Sequence, residues 1–340
     1  MDIYQFLENA DVYLQPTVGT DTYKLDVTPE GISFSQTFTE HTYAQKTLHT
    51  LSHHVKSGSI SKANPADFAF TIPLLKESDF DTVFNLLVDL NTEHTLNTFN
   101  LFFIIDAVVY SIEDCVLLSG NFTTSNSAPI SLQLTGQGTK LSINSLASAT
   151  AINGGKIVDS LGNISAAFSA LSTIPTFTTA NVVARSATRS FLPLTDHYFG
   201  PSYSAAGQNR SEHAASINME LQNAVSWTGY QTVHKALTEV DALEPGTNVQ
   251  YPSGFSLSNR NIAGSVTYYA TAPVLTYSQG ATLQVILYSR IGSANYGIKL
   301  EAPINFTSRV SPGSVVTNQY DWRLASNADT FTNYLTYTTA

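Results

Sequence analysis

Chemistry in this chain could sit on its histidines, its cysteine, its paired carboxylates and its glycine turns. His49, His53 and His54 would put two imidazoles one helical turn apart, a spacing that suits a metal. No nearby carboxylate completes the three or four ligands that zinc takes, so they read as polar loop histidines and no metal is expected. Gly136-Gln-Gly138 is a lone Gly-x-Gly without a strand–turn–helix around a third glycine, and predicts no nucleotide cofactor. Glu113 and Asp114 stand just before Cys115 and raise rather than lower its thiol pKa, which makes it a small buried residue or a bystander. The pair Glu113-Asp114 would serve a glycosidase only if a distant contact supplied the partner group. Tyr320-Asp-Trp322-Arg323 invites sugar stacking, but a packed Trp and a cross-strand pair in a last strand account for it better. Catalytic residues, cofactor and metal are therefore all expected to be absent.

The background against which those residues stand is unusual. Only 12% of the 340 residues are charged, against about 25% in ordinary soluble domains. With 43% apolar residues, 17 Tyr and 18 Phe, the chain is not of the disordered class. One cysteine excludes a disulfide framework. Apolar runs are too short for a membrane helix of about 20 residues, and the opening Met-Asp-Ile-Tyr-Gln lacks the basic and apolar regions of a secretory signal. Asn121 and Asn163 therefore carry no weight as glycosylation acceptors. The net charge of −10 falls entirely in residues 1–180, which hold seven Lys, no Arg and seventeen acids. Residues 181–340 balance nine basic against nine acidic groups, and there the Arg appear. Tight nucleic-acid binding needs a basic surface and is disfavoured. An acidic wall instead suits DNA that must slide past without sticking.

The elements that must position all this are mostly strands. Residues alternate in Tyr23-Lys-Leu25-Asp-Val27, Phe68-Ala-Phe70-Thr-Ile72, Ile130-Ser-Leu132-Gln-Leu134, Ile217-Asn-Met219-Glu-Leu221 and Leu283-Gln-Val285, a period of two that buries one face. Apolar spacing over Phe80, Val83, Phe84, Leu87 and Val88 predicts one helix, capped by Ser78 or Asp79. A turn at 3–7 and a marginal helix at 157–171 are weaker signals. Residues 146–190 are small and polar and read as a connector between domains at 1–145 and 191–340. The flanking parts share a layout, given one gap. Each runs from an alternating strand (32–38; 217–221) through a polar stretch (41–56; 227–248) to an aromatic strand (ending near Phe70; Tyr268). An apolar strand (101–105; 283–287), a strand after Tyr110 or Tyr296, and a last alternating strand (130–134; 315–324) follow.

Three features carry a resemblance to a family. They are Gly31-Ile-Ser-Phe34-Ser before a long polar excursion, Ile130-Ser-Leu-Gln-Leu134-Thr-Gly136, and Val315-Val-Thr-Asn-Gln-Tyr320-Asp-Trp322-Arg-Leu324. With the helix between strands, the chain resembles tail tube (major tail) proteins of tailed bacteriophages, in the subgroup with two tube domains per chain. The connector departs from single-domain members. The resemblance implies a mainly β fold, with two tandem tail-tube-like β-sandwich or barrel domains, a flanking short helix, and a continuous inner β-barrel ring on assembly. It implies a virion protein made in the host cytoplasm, trimeric with pseudo-sixfold symmetry, stacked into a tube with other tail proteins, without membrane contact, and with DNA passing through. The alternative is another β-rich virion component, a baseplate hub or a host-receptor-binding module. The polar excursions are the expected inter-ring loops, and Asp106, Glu113 and Asp114 are candidate acids facing the lumen.

Overall fold

The computed structural model describes residues 10–19, 21–29, 31–45, 55–76, 80–105, 108–124, 129–145, 180, 182–184, 189–203, 214–228, 248–252, 254–269, 277–326 and 331–338. Outside them lie the turn at 3–7, the helix at 157–171, His49, His53, His54, Asp106 and most of the connector. The first half holds β1 (Ala10–Pro16), β2 (Tyr23–Leu25), β3 (Ser33–Ser35), β4 (Phe38–Gln45), β5 (Val55–Ala63), β6 (Ala66–Pro73) and β7 (Leu75–Lys76). The helix α1 (Phe80–Val88) follows, then β8 (Phe99–Ile105), β9 (Val108–Thr124), β10 (Ser131–Gly138) and β11 (Leu141–Ser145). The second half holds β12 (Ser190–Phe191), β13 (Asp196–Gly200), β14 (Ala214–Thr228), β15 (Asn248–Gln250), β16 (Gly254–Tyr269) and β17 (Ala281–Ile291). It ends with β18 (Ala294–Ser311), β19 (Thr317–Leu324) and β20 (Leu335–Thr338).

The fold is mainly β, and the described strands leave the principal sheet open rather than closed into a barrel. Every predicted alternating segment lies in a strand or at its end, because alternate Phe, Leu, Ile and Val side chains bury on one face while Ser, Thr, Asn and Gln take the other. In β6 and β10, Phe68, Phe70, Leu132 and Leu134 are buried and their odd-numbered neighbours are not.

The bends in the sheet come from long strands. Phe99 faces Cys115 while Leu101 faces Ile112, so β9 carries one residue more than β8 between these pairs. Asp114 takes up that residue at φ 47° and donates its N–H to Asn100 Oδ1 over 3.3 Å. Such a bulge re-aims a strand. Before it, β9 pairs with β8 and β11; after it, with β10 and β14.

Strand pairing runs in the same order in the two halves. The first reads β1–β8–β9–β10–β6–β3, with β11 beside β9. The second reads β13–β17–β18–β19–β16–β14, with β20 beside β18. One hydrophobic cluster runs through both. The chain before β13 is stitched back onto the first half, where β12 pairs with β7 and Arg189 reaches Asp26 at 3.0 Å. The hairpin β4–β5 and strand β15 form a separate three-stranded sheet, β15 lying parallel to β5. Residues 46–54 and 229–247 lie outside the described residues.

Candidate functional site: a sheet junction with one polar face

The two halves become one sheet where β14 pairs with β9, from Ile217 opposite Thr124 to Gln222 opposite Ser119. On the core side Phe122 faces Met219, and both are fully buried. Helix α1 lies over this seam. Its Phe84 ring meets Phe122 edge-on at 6.2 Å, and Leu87 fills the space that a side chain at Gly120 would need.

A buried cation from the second half fastens the helix down. An α-helix ends with carbonyls that lack intrahelical partners and carry partial negative charge, and α1 has no basic residue in its last turn. Arg260, only 3% exposed, donates from Nη2 to Leu87 O (3.0 Å) and Val88 O (2.9 Å), and from Nε to Asn223 Oδ1 (2.9 Å). Asn223 Nδ2 donates to Leu87 O (3.1 Å) and Leu117 O (3.0 Å). The guanidinium sits 3.9 Å from the centre of the Phe331 ring. Burial lowers the Arg260 pKa to about 10, with Asp89 opposing the shift, so the group stays charged at neutral pH. Burial raises the Asp89 carboxyl, and Arg260 restrains that rise. Hydrogen bonds to a charged partner contribute roughly 1.5–3 kcal/mol each, which offsets the desolvation of the guanidinium.

The opposite face of the eight strands from β3 to β18 is polar and poor in charge. Hydroxyls and amides bond across it: Ser119 with Thr135 (2.7 Å), Gln137 to Asp67 (2.7 Å), and Trp227 Nε1 to Gln137 (2.8 Å). Its charged positions are Asp67, Glu220, Glu301 and Asp321 against Lys299, Arg309 and Arg323. In the second half this face forms a shallow hollow of about 770 Å³, lined among others by Asn218, Glu220, Asn261, Asn305, Asp321 and Arg323.

The residues singled out from sequence fall elsewhere. Glu113 and Asp114 sit at the β9 bulge, and desolvation raises the Asp114 carboxyl. Cys115 is fully buried, and its Sγ donates to Ile112 O at 3.3 Å; burial, then Asp114 and Glu113, push its thiol well up. Tyr320 and Trp322 are each 2% exposed and belong to the core, so they offer no stacking platform to a sugar. Gly136 lies opposite Phe68, where a Cβ would overlap the ring. The Gly-x-Gly is therefore a packing feature. Among the described residues no cluster of His, Cys, Asp and Glu could hold a metal, and no helix is long and apolar enough to cross a membrane. Sequence reasoning passed over Arg260 and Asn223. A lone Arg in an alternating strand, Ser258-Asn-Arg260-Asn-Ile262, was the available signal.

Comparison with known proteins adds little. No family model matches the chain, and no curated protein does. Among solved structures, 44% of this chain covers all of a chain in the cryo-EM structure of the anti-feeding prophage (AFP) baseplate, at 7% identity and a TM-score of 0.31. That likeness is too loose to carry an argument.

Proposed function

We propose that the chain is a structural subunit of a phage-type tail tube, built from two tandem sheet units within residues 1–145 and 191–340. Its role is mechanical: copies build a ring, rings stack, and the polar sheet face lines a channel for the passing genome. The observation that carries this reading is the β9–β14 seam, which joins two units of like pairing order edge to edge. A head-to-tail contact of that kind extends a sheet and closes by rotation into a ring. The sequence resemblance supplies the family, and three chains would give six units per ring. The wall proposed here is amide-rich with few charges of either sign. Asp67, Glu220, Glu301 and Asp321 are its acids, and Asp106, Glu113 and Asp114 are the further candidates.

Electron microscopy of the purified protein tests the reading. Hollow tubes or stacked rings of even diameter are expected. Single rings that never stack would point to a baseplate component, and a compact monomer at all concentrations would overturn the proposal. Deleting residues 41–56, the expected inter-ring arm, should leave a soluble protein that no longer polymerises.

A further inference from the structure

The seam inside the chain is a template for a contact outside it. In the first half, the second part of β9 has β10 on one side and β14 on the other. Its counterpart in the pairing order is the second part of β18. That segment pairs with β19 on one side, while its ladder to β17 ends with Ile304 opposite Ala281. The Gln279 side chain then bonds both backbone groups of Phe306, accepting from its N–H (2.9 Å) and donating to its carbonyl (2.8 Å). From Thr307 to Ser311, no described strand occupies the other side. β3 is the counterpart of β14; it pairs with β6, and its outer edge likewise has no described partner. One edge of each kind is thus used within the chain, and one of each is left over.

Equivalent positions follow from the ladders. Thr139 N–H donates to Glu113 O (2.8 Å), and Ala325 N–H donates to Pro303 O (2.9 Å), each just past the last residue of β10 or β19. That fixes Leu134 with Tyr320 and Leu132 with Asn318. Across the next ladder, Phe122 (opposite Leu132) corresponds to Val310 (opposite Asn318). On the other side, Phe34 (opposite Phe68) corresponds to Met219 (opposite Gly264). Inside the chain, Phe122 and Met219 face each other and are buried. Their counterparts are left unburied: Val310 is 63% exposed, and Phe34 is half-buried against Phe103.

We infer that the β18 edge from Thr307 to Ser311 pairs antiparallel with the β3 edge of a second copy, with Val310 of one chain opposite Phe34 of the next. The contact repeats the β9–β14 seam between molecules. It is heterologous, so it propagates around a ring instead of ending at a dimer. The inference deepens the tube reading by naming the partner edge, though it requires only assembly, not a tail.

Cysteine mapping tests it. Opposed Cα atoms in an antiparallel pair lie about 4.5–5.5 Å apart, within disulfide reach of about 4.4–6.8 Å. Val310→Cys and Phe34→Cys, purified separately, are mixed and oxidised with diamide. A disulfide-linked dimer is expected from the mixture and from neither variant alone; Ser33→Cys, whose side chain points to the other face, should give at least about tenfold less. As a check independent of Phe34, Val310→Asp should keep the circular dichroism spectrum and weaken association at least about tenfold by sedimentation. Assemblies that form without the Val310–Phe34 link, or with an equal yield from Ser33→Cys, overturn the inference and leave the tube reading standing. Linked oligomers that never become hollow support the inference and count against the tube. Unimpaired association of Val310→Asp overturns the edge assignment outright.

Discussion

The two halves solve one packing problem with opposite residues. In the first, Phe68 on β6 lies over Gly136 on β10. In the second, the equivalent strands exchange roles, and Trp322 on β19 lies over Gly264 on β16, where a Cβ would come within 2.5 Å of the indole. A sheet needs a large side chain over a bare backbone at this point, and either strand of the pair can supply it. The halves also differ at their outer edges. The β9 edge is covered by β14 and α1, with Arg260 fastening the helix, whereas the corresponding β18 edge has no described strand beside it.

The covered edge gives the largest expected effect. Arg260→Ala leaves the Val88 carbonyl and Asn223 Oδ1 without their partner in the core and Leu87 O with Asn223 alone, and should lower stability by about 3 kcal/mol in chemical denaturation. Hydrogen exchange should then speed up first along β9 and β14. If exchange rises evenly over the chain, the guanidinium is not what holds the seam. Asn223→Ala removes the bonds to Leu87 and Leu117 and should cost about 2 kcal/mol by the same measurement.

The exchanged glycines sharpen the comparison. Gly136→Ala would press on Phe68 and on Val116 O, and Gly264→Ala on Trp322 and on Asn218 O. Each should cost about 2 kcal/mol. Tolerance at one position and not at the other would break the equivalence of the two ladders.

The smallest effect belongs to an exposed ion pair, Lys299 with Glu301 at 2.6 Å. Its hydrogen bonds to Lys299 and then Gln284 hold the Glu301 carboxyl below its ordinary 4.5. Because the folded value is depressed, the stabilisation is present above that ordinary value and is lost as pH falls through the folded one. Glu301→Gln should therefore lower stability at pH 7 by about 0.5 kcal/mol or less. The difference in Tm from the unsubstituted protein should vanish in acid.

Much of this architecture was legible in sequence. Alternation at 68–72, 130–134 and 217–221 marked strands because one buried face imposes a period of two. The helix was legible at Phe80–Val88 because its apolar residues recur three and four apart. The seam was not legible. Nothing local at Ser119–Thr124 says that its partner lies at 217–222, since pairing across about a hundred residues is decided by which edges remain open. Arg260 was missed for a related reason. Its acceptors are backbone carbonyls of a helix far away in sequence, and backbone carbonyls leave no trace in side-chain patterns.

By itself, then, the sequence determined that the chain is mainly β, low in charge, and built of strands with one apolar and one polar face. Period and composition are local properties that burial acts on directly. Tertiary structure alone decided which edges meet, which strand supplies the aromatic over each glycine, and that Glu113 and Asp114 sit at a bulge. These outcomes depend on ladder register and on one inserted residue in β9, where a shift of a single position turns every following side chain to the other face.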